Sequence, residues 1–126
     1  MKKTLEYSNT DIYCINDLIK SFRKKGFIGQ IDTSNSNRGY VDIRTTDWNP
    51  GRNRDIIFRL YKIYSGSGLF GDKCKWVTEL FAVENGNIVK HGCVEGSSQY
   101  NSLNKGFIQV TNNFPSKSKL DDYFFI

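Results

Sequence analysis

Asn85-Gly86 stands between two apolar runs, and no other pair constrains the fold of this chain as much. A type I′ turn needs positive φ at both central positions, which Asn-Gly tolerates and most pairs do not. Residues 74–94 are therefore predicted to form a β-hairpin. With a two-residue turn, Val83 faces Ile88, Phe81 faces Lys90 and Thr78 faces Cys93. One face then carries Trp76, Leu80, Ala82, Val89 and Cys93. The other carries Val77, Phe81, Val83, Ile88 and Val94, interrupted by Glu79 and Lys90. A competing pattern exists over residues 72–84, where Trp76, Val77, Leu80 and Phe81 also fit one face of a helix. The strand reading is preferred because Val, Thr, Trp and Phe favour strands, and lysines at a helix start oppose its dipole.

Two further segments have clear periods. In residues 10–25, Ile12, Ile15, Leu18, Ile19 and Phe22 recur at helical spacing. Thr10 is the expected N-cap, Arg23 to Lys25 suit the negative C-terminal end, and Gly26 supplies the stop. Residues 56–64 (IIFRLYKIY) are β-branched and aromatic, with neither Gly nor Pro, and read as a strand. Residues 40–44 alternate, with Val41 and Ile43 on one face and Tyr40, Asp42 and Arg44 on the other. Short strands are predicted at 27–31 and 107–111. Flexible or polar loops are predicted at 32–39, 65–72 and 96–105. The expected fold is α+β, a single N-terminal helix packed on a curved antiparallel sheet of about five strands, within one domain spanning 1–126.

Charge is unevenly placed along this frame. Residues 1–75 hold 14 Lys/Arg against 8 Asp/Glu, while residues 76–126 hold 4 against 5. The basic part interleaves arginine with aromatic residues. Arg59 and Tyr61 share one face of their strand, and Tyr40 and Arg44 one face of theirs. If these strands are neighbours with the helix behind them, the open face can stack bases and neutralise phosphates. Arg38, Trp48, Arg52 and Arg54 in the flanking loops would extend the surface. The expected binding surface is thus Arg38, Tyr40, Arg44, Trp48, Arg52, Arg54, Arg59 and Tyr61. Its expected partner is nucleic acid or a nucleic-acid-binding protein.

The remaining motifs are poor in chemistry. Gly66-Ser-Gly68-Leu-Phe-Gly71 spells G-x-G-x-x-G, but a dinucleotide site needs a helix next, within a βαβ unit. A hairpin loop is the expected outcome, and no cofactor is expected. His91, Cys93 and Glu95 would share a strand face, and Cys74 could join them on zinc. A lone histidine and no close cysteine pair argue for packed residues and no metal. Asp42 and Asp55 lie near strand ends, where metal-dependent nucleases place acids, but no matching Glu-x-Lys motif follows. Without a catalytic constellation, an enzyme is not the expected reading.

Three cysteines make no disulfide framework, and no run reaches the roughly 18 apolar residues of a membrane span. A cytoplasmic setting is expected, with no membrane partner. Two alternatives to nucleic-acid binding follow from the same residues. One is a compact inhibitor or adaptor of phage or mobile-element type, docking through the 76–94 hairpin. The other is a small enzyme or small-molecule binder using the sheet's concavity, with His91 or Cys93 at work. The apolar run Tyr123-Phe124-Phe125-Ile126 would cover the second face of the hairpin or serve as a docking peptide.

Overall fold

A computed structural model describes residues 6–24, 26–47, 51, 53–69 and 71–112. Trp48, Arg52 and the stretch 120–126 lie outside the described residues. The elements in chain order are α1 (Asn9–Lys24), β1 (Gln30–Asp32), a short 3-10 turn (Ser36–Arg38), β2 (Tyr40–Thr46), β3 (Asp55–Gly68), β4 (Gly71–Glu84), β5 (Asn87–Gly96) and α2 (Gln99–Thr111). The strands form an antiparallel sheet in the order β1-β2-β3-β4-β5, which does not close. The fold is α+β, as the sequence predicts.

Helix α1 follows its pattern closely. Ile15, Ile19 and Phe22 are buried. Its start lies two residues earlier than expected: Ser8, not Thr10, caps it. Ser8 Oγ accepts from the Asp11 backbone N–H at 3.1 Å, and the Asp11 carboxylate accepts from the Ser8 N–H at 3.0 Å. This reciprocal pair satisfies two amides that the helix leaves open. Gly26 ends the helix at φ +96°. Its N–H donates to Arg23, and that of Phe27 donates to Phe22. Those bonds satisfy two of the last carbonyls.

Helix α2 corrects the expectation of a loop at 96–105 and a strand at 107–111. Its Ser- and Asn-rich sequence is a weak helix former. Tertiary contacts decide the matter. Ser98 caps it by accepting from the Asn101 N–H. Leu103 and Val110 are fully buried, and the Ser102 hydroxyl lies 2.7 Å from that of Thr78 on the sheet. Gly106 permits the close approach, since a Cβ there would sit 3.1 Å from both Leu80 Cδ2 and Thr78 Cγ2.

Both helices pack on one face of the sheet. The core there comprises Val41, Ile43, Ile56, Phe58, Leu60, Trp76, Leu80 and Ala82, under Ile15, Ile19, Phe22, Leu103 and Val110. Phe107 bridges the layers, 4.8 Å from the rings of Phe22 and Phe58. Tyr7 joins the starts of the two helices. It stacks edge-on to Trp76 at 5.6 Å and donates to the Gln99 side chain, whose amide donates to the Asp11 carbonyl. Burial holds the Tyr7 phenol far above its ordinary range.

The hairpin forms with Asn85 at φ +51° and Gly86 at φ +78°. Residues 72–84 are strand, and Val83 faces Ile88 as predicted. A bulge between Ala82 and Val83 then displaces everything beyond. Phe81 pairs His91 rather than Lys90, and Thr78 pairs Val94 rather than Cys93. A one-residue slip exchanges faces. Val94 thus joins the helix side, while His91, Cys93 and Glu95 turn to the other face with Glu79.

Candidate nucleic-acid interface

The face of the sheet away from the helices carries the predicted Arg–Tyr strands, in rows set by register. One row runs Asp32, Asp42, Arg59, Glu79, Cys93. A second runs Tyr40, Tyr61, Val77, Glu95, and a third Gln30, Arg44, Ile57, Phe81, His91. Tyr40, Arg44, Arg59 and Tyr61 do come together, on adjacent strands and with the helices behind them.

Only the middle of that face is buried, however: Tyr40 and Arg59 are half buried and Arg44 is exposed. Asp42, Tyr61 and His91 are each 1% exposed and Glu79 is 0%. Arg59 donates to both oxygens of Asp42, at 2.7 and 3.0 Å, with its guanidinium 4.3 Å from the Tyr40 ring centroid. Burial opposes the Arg59 charge, but the Asp42 carboxylate outweighs it and holds the guanidinium pKa above its ordinary value. Tyr61 donates its hydroxyl to Glu79 Oε1 at 2.6 Å, and His91 Nε2 lies 2.6 Å from Glu79 Oε2. Phe81 stacks on the His91 ring, 5.1 Å between centroids. Opposite charges on one sheet face attract where register sets them side by side, as Asp42, Arg59 and Glu79 are here. Asp42 and Glu79 are the residues that sequence reasoning undervalued here. Asp42 on β2 and Glu79 on β4 flank Arg59 on β3 by register, and the place of His91 depended on the bulge.

Arg54 is not a surface residue either. Its guanidinium is 2.6 Å from Asp47, both side chains are at most 2% exposed, and the Asp47 N–H donates to the Arg54 carbonyl. Arg38 is exposed on the 3-10 turn, and Arg44 remains half exposed while contacting Asp42 at 3.4 Å.

Glycines 66, 68 and 71 occupy a β-hairpin tip, and no helix follows them. Gly66 sits at a bulge with φ +140° and Gly71 at φ +129°, a region that L side chains rarely adopt. The expected flexible loop at 65–72 is largely strand, with only residues 69 and 70 between the paired ends.

Among the described residues, no three His, Cys, Asp or Glu side chains converge as metal ligands. Cys14 and Cys74 are exposed and Cys93 is half buried. Cys74 and Cys93 lie on opposite sheet faces. A cavity of about 680 Å³ opens between the last turns of α1 and α2 and the end of β2, walled by Phe22, Phe27, Ile28, Phe107 and Ile108. None of the expected binding residues lines it. No described helix is long and apolar enough to cross a membrane.

Fold and face define an α+β protein with an open five-stranded sheet, two helices on one side and a polar network on the other. Compared with known proteins, the chain matches no protein-family model, no curated protein and no solved structure.

Proposed function

We propose that this is a non-enzymatic protein that binds nucleic acid through a basic, aromatic surface. The observation that carries the reading is how folding sorts charge. Asp42, Asp47 and Glu79 are buried, whereas Arg54 is the only buried Lys or Arg among the described residues. The described surface is left with eight exposed cations (Lys20, Arg23, Lys24, Arg38, Arg44, Lys73, Lys75 and Lys105) against four exposed acids (Glu6, Asp17, Asp55 and Glu84). A surface of that balance concentrates a polyanion around it. Contact falls to Arg38, Arg44, Lys73, Lys75 and Tyr64, because Arg54 and Tyr61 are interior. Exposed free thiols at Cys14 and Cys74 suit a reducing, cytoplasmic setting.

Fluorescence anisotropy with labelled duplex and single-stranded nucleic acid tests the reading. Affinity should fall with salt at a log–log slope of about −0.9 per duplex phosphate neutralised, so about −3 for three contacts. The charge reversals Arg38→Glu/Lys75→Glu should weaken binding to all sequences alike and flatten that slope. No binding at low salt would overturn it. So would a discrete protein complex that survives nuclease and high salt, which would favour the inhibitor or adaptor reading.

A further inference from the structure

Strand register gives β3 and β4 more length than their neighbours cover. β2 ends at the pair Tyr40↔Tyr61 and β5 at Gly96↔Trp76, yet β3 and β4 stay paired from Ile63↔Lys75 out to Gly68↔Gly71. The overhang is a two-stranded ribbon roughly 17 Å long at about 3.4 Å per residue. Its outer part is exposed: Tyr64 at 40%, Leu69 at 92%, with Lys73 and Lys75 also on the surface. Isolated two-stranded ribbons are marginal in water, and this one is braced along its length. At the base, Lys62 bridges to Asp11 at 2.8 Å. Further out, the Tyr64 hydroxyl lies 2.8 Å from Ser67 Oγ. At the tip, the stem of Lys73 lies against Gly68, where a Cβ would meet Lys73 Cε at 3.0 Å. Arg38 sits at the same end of the sheet, in the turn leading into Tyr40.

We propose that this ribbon enters the major groove of duplex DNA. The inference rests on the nucleic-acid reading above and deepens it. Two strands about 4.8 Å apart, with side chains on both faces, make a body roughly 10 Å thick. The B-form major groove, about 12 Å wide, admits such a body, and the minor groove, about 6 Å wide, does not. The A-form major groove of RNA is too narrow for side chains to read, so DNA is the partner rather than duplex RNA. Lys73 and Lys75, two residues apart on β4 and so on one ribbon face, then meet the phosphates of one groove wall, Lys75 leaving its 3.9 Å contact with Glu95 to do so. Leu69 at the tip offers apolar surface of the kind that meets a thymine methyl group.

The test joins Tyr64 directly to Cys74 through Asn-Gly in place of residues 65–73, a two-residue turn suited to a hairpin. Every strand pair inward of Tyr64↔Cys74 is retained, and circular dichroism checks the fold. Binding is measured to one sequence as duplex DNA, duplex RNA and single-stranded DNA at fixed salt. The intact chain should prefer duplex DNA and protect guanine N7 from dimethyl sulfate. The shortened chain should lose about tenfold in duplex DNA affinity, the scale of a lost groove contact, together with the preference over RNA. Should the shortened chain misfold, Lys73→Glu/Lys75→Glu replaces it with the same expectations. Unchanged duplex affinity in the variant, or protection confined to adenine N3 in the minor groove, would overturn the ribbon's role while leaving nucleic-acid binding intact. Absence of any binding by the intact chain would remove both readings.

Discussion

Glu79→Ala is the substitution whose effect follows most directly from the structure. The Glu79 carboxylate is fully buried and is shared by the Tyr61 hydroxyl and His91 Nε2, each at 2.6 Å. Truncation removes both contacts at once. Breaking a buried pair of this kind costs about 3–5 kcal/mol. Two buried hydrogen bonds at about 1–3 kcal/mol each give the same scale. The whole domain is worth only about 5–15 kcal/mol, so the loss is a large share of its stability. With an unfolding entropy near 2.1 cal/mol/K per residue, the Tm should drop by about 11–19 °C. Urea unfolding followed by tryptophan fluorescence measures it, with Trp76 in the core as a reporter. A double-mutant cycle with His91→Ala should give a coupling of at least about 1 kcal/mol, since contacting residues do not act additively. A Glu79→Ala protein within about 0.5 kcal/mol of wild type, the range of ordinary surface changes, would refute the reasoning.

Two smaller expectations accompany it. Burial alone would raise the Asp11 pKa, but the hydrogen bonds from Lys62 and Ser8 hold it below the ordinary aspartate range. A carboxylate depressed in the folded state adds stability above its unfolded pKa, near 3.9, and loses it as pH falls through the folded value. Asp11→Asn should therefore lower the Tm at neutral pH, with the gap to wild type closing as the scans move below about pH 4; parallel melting curves across that range would contradict the assignment. Ser98→Ala removes the α2 cap and should cost about 1 kcal/mol. Hydrogen exchange should quicken first at the N-terminal turn of α2, and uniform protection there would argue against the cap.

Local physics made part of this protein legible from its sequence. Helix α1 and its stop follow from a 3.6-residue apolar period and a glycine that tolerates positive φ. The core of β3 follows from an unbroken β-branched and aromatic run, and the β4–β5 turn from Asn85-Gly86. Those features depend on a residue and its near neighbours, so no tertiary contact is needed to read them. Tertiary structure decided the rest. Residues 99–111 are poor helix formers and become α2 because Leu103, Phe107 and Val110 find the sheet and Gly106 lets the backbone approach it. The β4–β5 register beyond Ala82 rests on a bulge that no local signal marks, and a single extra residue moved His91, Cys93 and Glu95 to the other face. The Arg–Tyr alternation was real in the sequence, but alternation fixes only which side a residue takes. Whether that side meets water depends on what lies across the neighbouring strands. Here Asp42 and Glu79 lie there, and Arg59 is half withdrawn from water with its guanidinium on Asp42, which costs far less than withdrawing the charge alone.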